Sequence, residues 1–230
     1  MITRSPLTLT ACILALATLL ITIIMLFLMP AHAALSEGFY TPIIAFEFAQ
    51  SNQDLLFLAG NAGANNRQGM HSGLLWDMAF PFAYAGFLCV LIGSHLNKHP
   101  RIATLGLLFS LLTIPADIYE NWVLLSILDA LSQASSTETL LAQLHIATWL
   151  KWGSMGLGFA ALAVIDIQVR KPAAIFVSLF ASLSVLLCFL SGSKPITTEL
   201  MMLCFTLFYA VHIPRVFYQT IKLKRETAAS

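Results

Sequence analysis

Apolar residues run along this chain in unbroken stretches. They show neither the period-two alternation of a half-buried strand nor the narrow stripe of a surface helix. A helix needs about 20 consecutive apolar residues to cross a bilayer. Six stretches meet or approach that length, at about 7–29, 73–92, 102–128, 144–167, 173–190 and 198–218. A membrane β-barrel would instead show alternating segments of about ten residues. The pattern predicts an all-α polytopic transmembrane helix bundle of about six spans, forming a single domain over 1–230. The first run starts near Arg4 and ends at Ala31-His32-Ala33, which resembles a signal cleavage site. It is longer than the roughly 7–15 residue core of a signal peptide, so it reads as a retained anchor. Cleavage would leave five spans.

The segment between the first two runs has a different pattern. Within about 39–58, Glu47, Gln50, Ser51 and Asp54 fall on one helical face, while Ile44, Phe48 and Leu55 fall on another. This predicts an amphipathic helix lying on the outer membrane surface. Glu47 is then either part of a solvated face or, flanked by Phe46 and Phe48, something more. Residues 60–73 are rich in Gly and Asn and read as a flexible loop. In the fourth run, Ser154 with Gly158 and Gly156 with Ala160 are small pairs four apart, which let helices approach closely.

Composition agrees with the pattern. Of 230 residues, 58% are hydrophobic and 10% charged, and the formal net charge is +1. Mean hydropathy is +0.82. A soluble domain carries about 25% charged residues, and a disordered chain is more polar still, so both classes are excluded. The chain also lacks the basic excess that nucleic-acid binding needs. Arg4, Lys98, Arg101, Arg170, Lys171, Lys222, Lys224 and Arg225 fall on one side of a six-span arrangement, with Arg215 near it. Only Arg67 and Lys194 fall on the other. By the positive-inside rule both termini are cytoplasmic, and the 31–72 segment and 129–143 loop are outside. Cys12, Cys89, Cys188 and Cys204 all sit within spans at spacings matching no zinc or redox motif, and read as small buried hydrophobes.

The candidate chemistry lies in ionisable residues where lipid is expected. Asp77 lies about one turn into the second span, with Pro81 and Tyr84 at i+4 and i+7. Asp117, Glu120 and Asn121 share a face of the third span, just after a potential kink at Pro115. Lys151 lies about two turns into the fourth, between Trp149 and Trp152. All four charges fall in the outer half of the bilayer on three consecutive spans, so they are expected to meet. Each costs roughly 2.5–3.5 kcal/mol against lipid. Together that is on the order of 10 kcal/mol, comparable to a domain's whole stability. They must face inward, either as an ion-pair network holding three helices or as a functional site. Three carboxylates and one ammonium leave two excess negative charges. Either a carboxyl carries a proton, as in acid–base chemistry, or a cation completes the site. Replacing Lys151 with Met should then destabilise the protein or abolish its activity.

Other motifs are weaker. His71 and His145 lie on the outer side and could join Asp77 and Glu120 at a metal, but no ligand spacing supports this, and they read as solvated. Trp76, Tyr84, Tyr119, Trp122 and Trp149 suit an organic ligand or, more simply, an interfacial belt. There is no nucleophile elbow or phosphate loop, and no cofactor is indicated.

Phe46-Glu47-Phe48-Ala49, Asp77 with Pro81 and Tyr84, Asp117-Ile118-Tyr119-Glu120-Asn121, and Lys151-Trp152 occur in that order. This resembles an uncharacterised group of small polytopic bacterial membrane proteins with the order FExA, DxxxPxxY, DxxEN and KW, over roughly 39–163. The resemblance implies a bacterial inner membrane and one constellation of Glu47, Asp77, Asp117, Glu120, Asn121 and Lys151, but no activity. The expectation is a pocket binding a small molecule or lipid head group through Glu47, Asp77, Tyr84 and Asn121, with proton or cation linkage. An alternative is a lipid hydrolase or isomerase using Asp117 or Glu120 as acid–base and Lys151 as charge stabiliser. A structural or assembly subunit is the third reading.

Overall fold

A computed structural model describes residues 6–228. Arg4 and the side chain of Lys224, counted above toward the inner side, lie outside the described residues. Within them the chain forms eight α-helices and no strand. These are α1 (Pro6–Leu28), α2 (Pro42–Glu47), α3 (Ala64–Asp77), α4 (Phe80–Gly93), α5 (Pro100–Ser132), α6 (Glu138–Gln168), α7 (Pro172–Leu190) and α8 (Pro195–Ala228), with a 3₁₀ turn at Leu56–Leu58. Six of the eight open on or beside a proline. The first helical N–H has no partner in any helix, so proline starts a helix there without loss.

Helices α1, α5, α6, α7 and α8 are each long and apolar enough to cross a membrane, and the α3–α4 pair would make a sixth span. Neighbours close into a ring: α1 against α4, then α4–α5, α5–α6, α6–α7, α7–α8 and α8 back to α1. Close approach rests on small residues, as expected from the fourth run. A Cβ on Gly158 would lie 2.7 Å from Ser110 Oγ, and one on Gly156 would lie 3.0 Å from Val185. Leucine and phenylalanine side chains such as Leu9, Phe27, Leu108, Phe176 and Leu190 point out from the ring, as lipid contact requires.

The second span is not continuous. It is broken after Asp77, and α3 and α4 meet at 41°. The cause is Pro81. It cannot donate to the carbonyl of Asp77, four residues earlier, and its ring clashes with that carbonyl. Asp77 therefore ends one half-helix instead of sitting a turn inside a long one.

Two expectations for the outer segment are corrected. The surface amphipathic helix over 39–58 does not form: helix is confined to α2 and to the 3₁₀ turn. Ile44, Ala45, Phe46, Phe48 and Ala49 are buried, so α2 has no solvated face, and the exposed residues 50–53 follow it outside any helix. Instead α2 packs against α5, α6 and α8 as a plug in the end of the ring. Its start is tied to α8, where Glu199 accepts from the Tyr40 and Thr41 N–H groups at 2.8 and 2.7 Å and from Thr41 Oγ1 at 2.7 Å. After Glu47 the chain turns. Asp54 accepts from the N–H groups of Gln50 and Ser51 at 3.1 and 3.0 Å, the local side-chain bonding that competes with helix.

The expected loop over 60–73 is mostly helix, because α3 begins at Ala64. Its glycines are a contact face. A Cβ on Gly73 would lie 2.4 Å from Met29, and one on Gly69 would lie 2.9 Å from the Leu28 carbonyl oxygen, so α3 can press on the end of α1 only without side chains there. Arg67 donates to the carbonyls of Leu58 and Gly60, and Asn66 donates to that of Phe57 at 2.8 Å. These residues clamp the 3₁₀ turn.

Candidate functional site

Lys151 is the centre of the site. It lies two-fifths of the way along α6, the most buried of the long helices, and is 5% exposed. Its ammonium meets three carboxylates from two other helices. Nζ is 3.0 Å from Glu47 Oε1, at the end of α2, and 3.6 Å from Asp117 Oδ1, on α5. It also touches Glu120 Oε2, one turn further along α5. The charge of this ammonium is thus surrounded by three carboxylates, with Asp117 at ion-pair and not hydrogen-bond distance. Asp117 and Glu120 reach it together because residues three apart share a helix face.

A second layer holds the carboxylates. Tyr84, on α4, donates to Asp117 Oδ2 at 2.7 Å. Trp152 donates from Nε1 to Glu47 Oε2 at 3.0 Å, and Thr148 donates to the Glu47 backbone carbonyl at 3.0 Å. Tyr84 is itself positioned by Tyr209, on α8, which donates to its carbonyl at 3.0 Å. One turn inward, Thr113 and Ser154 bond across α5 and α6 at 3.0 Å and form a polar floor.

Not every group is satisfied. Asp117 Oδ1, Glu120 Oε1 and both amide atoms of Asn121 are buried without a hydrogen-bond partner among the described residues. Asp77 is 5% exposed and makes no ion pair among the described residues. Buried polar atoms are nearly always paired, so these mark where a proton, water or ligand belongs. Counting Asp77, four buried carboxylates face one ammonium, and full ionisation would leave three uncompensated negative charges.

Beside this cluster is a partly open cavity of about 60 Å³. Glu47, Asp77, Tyr84, Asp117 and Lys151 all line it. Glu120 and Asn121 lie off it, behind the ammonium. The structure thus brings all seven predicted site residues into one region but gives only five of them a cavity wall. The half-buried part of the lining is wholly apolar: Met25, Ile43, Phe80, Met202 and Phe205, from α1, α2, α4 and α8.

The histidines stay outside. His71 and His145 are exposed, and His145 lines a separate surface groove with Gln50 and Glu138. No group of three or more His, Cys, Asp or Glu side chains among the described residues is arranged to hold a metal. Trp76, Tyr119 and Trp122 are exposed on the outside of the bundle, as a belt requires, with Tyr119 and Trp122 stacked at 6.2 Å. Trp149 packs edge-on against Phe48 and Phe189. Of the five aromatics, only Tyr84 enters the site.

Sequence reasoning missed Thr148, Trp152 as a donor, Tyr209 and Glu199. Thr148 was legible in principle, since it precedes Lys151 by three residues and shares its face. Tyr209 and Glu199 carry no local signal, because their partners lie 125 and 158–159 residues away.

No protein-family model, curated protein or solved structure matches this chain. The functional argument therefore rests on the site alone.

Proposed function

We propose that this multi-pass membrane protein resides in a bacterial inner membrane with both termini cytoplasmic. It binds a small molecule or lipid head group in the outer half of the bilayer, and binding is linked to a proton or cation. The observation that carries this reading is the cavity wall. Glu47, Asp77, Asp117 and Lys151 line one cavity, while the surrounding carboxylates outnumber the ammonium four to one. A network built only for stability gains nothing from a charge excess beside open space, because buried ion pairs seldom offset their own desolvation.

The direct contacts of Lys151 with Glu47, Asp117 and Glu120 favour a structural role for that part of the cluster. They leave Asp77 unexplained. For acid–base chemistry on a ligand in the cavity, Asp117 is better placed than Glu120, because only Asp117 reaches the wall.

The test is to purify the protein directly from membranes into nanodiscs and compare extracts of wild type and Asp77→Asn by mass spectrometry. A molecule retained by the wild type and depleted at least ten-fold in the variant supports a binding site. Identical extracts overturn it.

A further inference from the structure

Two classes of side chain share the cavity wall, and their combination is specific. Carboxylates of Glu47, Asp77 and Asp117 sit beside the rings of Phe80, Tyr84, Trp152 and Phe205. The rings form a continuous cluster. Phe80 and Tyr84 centroids are 5.0 Å apart, Tyr84 and Phe205 are 5.6 Å apart, and Trp152 and Phe205 are 5.8 Å apart. Aromatic faces and carboxylates both attract cations, and together they are how proteins hold organic ammonium groups. An anionic ligand would meet only Lys151, which three carboxylates already surround.

Lys151 shows the preference from within. Its Nζ lies 5.2 Å from the Trp152 ring centroid while it contacts three carboxylates. One ammonium is therefore already held by carboxylates and a ring face. Asp77 lines the same cavity, is nineteen-twentieths buried and has no ion pair among the described residues, so a second cation position is left on that side.

Donor chemistry and access narrow the class. A primary ammonium can donate N–H hydrogen bonds to the Asp77 carboxylate on the cavity wall, and a trimethylammonium group has none to give. The half-buried lining from α1, α2, α4 and α8 is apolar. It suits a hydrocarbon tail behind the head and offers nothing to a bare hydrated ion. Helix α1, which contributes Met25 to that lining, is the least buried of the spans.

We propose that the cavity bounded by Asp77, Tyr84, Trp152 and Phe205 is a binding site for a primary alkylammonium group, carried by a lipid head or a soluble amine. This rests on the reading of the cavity as a ligand site and names the chemistry it takes.

The experiment uses the full chain in nanodiscs and follows thermal unfolding. The probes are n-butylammonium, tetramethylammonium and sodium at matched ionic strength, and discs of phosphatidylethanolamine against phosphatidylcholine. We expect n-butylammonium to raise the midpoint saturably in the wild type, with an apparent affinity at least ten-fold better than tetramethylammonium or sodium. Asp77→Asn should weaken it ten-fold or more, and Phe205→Leu three-fold or more. The second variant keeps every charge, so it remains informative if the first folds poorly. Stabilisation by phosphatidylethanolamine that n-butylammonium competes away identifies a lipid source. A response to n-butylammonium alone identifies a soluble amine. Equal responses to all three cations, or wild-type responses in both variants, overturn the proposal. The extracts described above separate the two levels. A retained non-amine molecule that depends on Asp77 would overturn the ammonium class and leave the binding site standing, whereas identical extracts with no amine response would remove both.

Discussion

The two ends of this bundle carry opposite charge problems and treat them differently. At the carboxylate site, Glu47, Asp77, Asp117 and Glu120 are all 5% exposed or less and share a single lysine among the described residues. At the opposite end the imbalance is reversed. Asp166 accepts from Ser178 at 3.2 Å, partly exposed Lys171 and Arg215 lie near it, and exposed Lys98 lies near Lys171. Burial, then Arg215, holds the Lys171 ammonium below the usual lysine range, with Asp166 opposing and Lys98 adding to the fall. Lys98, Lys171 and Arg215 are at least partly exposed, so water screens this end. The carboxylate site has no such screening. Charge excess alone is weak evidence for function, whereas charge excess that is buried and beside a cavity is strong evidence.

The sharpest way to break this contrast is Lys151→Met. It leaves four buried carboxylates with no cation, and removing one partner of a buried pair costs roughly 3–5 kcal/mol. Unfolding in nanodiscs should show a large loss, and wild-type stability would mean the carboxylates are already neutral. Next is Glu47→Gln. It removes the charge facing Lys151 but keeps an oxygen for Trp152, so the loss should be about 1.5–3 kcal/mol, the range for a hydrogen bond to a charged group. Smaller again is Tyr84→Phe. It deletes the donor to Asp117 while leaving the Tyr209 bond to its backbone intact, at about 1–2 kcal/mol. A double-mutant cycle of Tyr84→Phe with Asp117→Asn should show coupling, and strict additivity would mean the bond is not formed.

The opposite end should barely respond. Arg215→Gln is expected to stay within about 0.5 kcal/mol of wild type. A loss as large as that of Lys151→Met would erase the distinction between the ends. His95, in the turn between α4 and α5, gives the pH handle there. Burial, then Lys171, His99, Lys98 and Arg215, holds its imidazole below the usual histidine range. In the unfolded chain it takes a proton near pH 6.5, and in the folded protein only at lower pH. Stability should therefore fall as pH drops through about 6.5, and His95→Gln should flatten that fall slightly. An unchanged profile would show that another group controls it.

Most of the fold was written in the apolar runs, because a bilayer imposes one length on every span. What failed was the region from Gly38 to Gly73, where polar and small residues have more than one use. Gly69 and Gly73 read as loop formers, yet they provide a helix contact for α1. The Glu47–Asp54 period looked amphipathic, yet Asp54 closes a turn and Glu47 points into the bundle. At the site, Asp117, Glu120 and Lys151 could be placed from helical phase and depth. Glu47 could not, since its position depends on α2 plugging the ring, and that depends on Glu199 some 150 residues later. The cavity itself has no signature in the chain, being the space left among side chains of seven helices.

The position of Lys151 in the chain has a consequence for how the protein is made. Glu47, Asp77, Asp117 and Glu120 all precede it, so a ribosome delivers every acidic member of the cluster before their only cation exists. Until α6 emerges, the early helices cannot settle in lipid with those carboxylates ionised and dry. Packing of the early helices around the cluster should therefore wait for Lys151, and a chain stopped before α6 should be cut by protease faster than one that includes it.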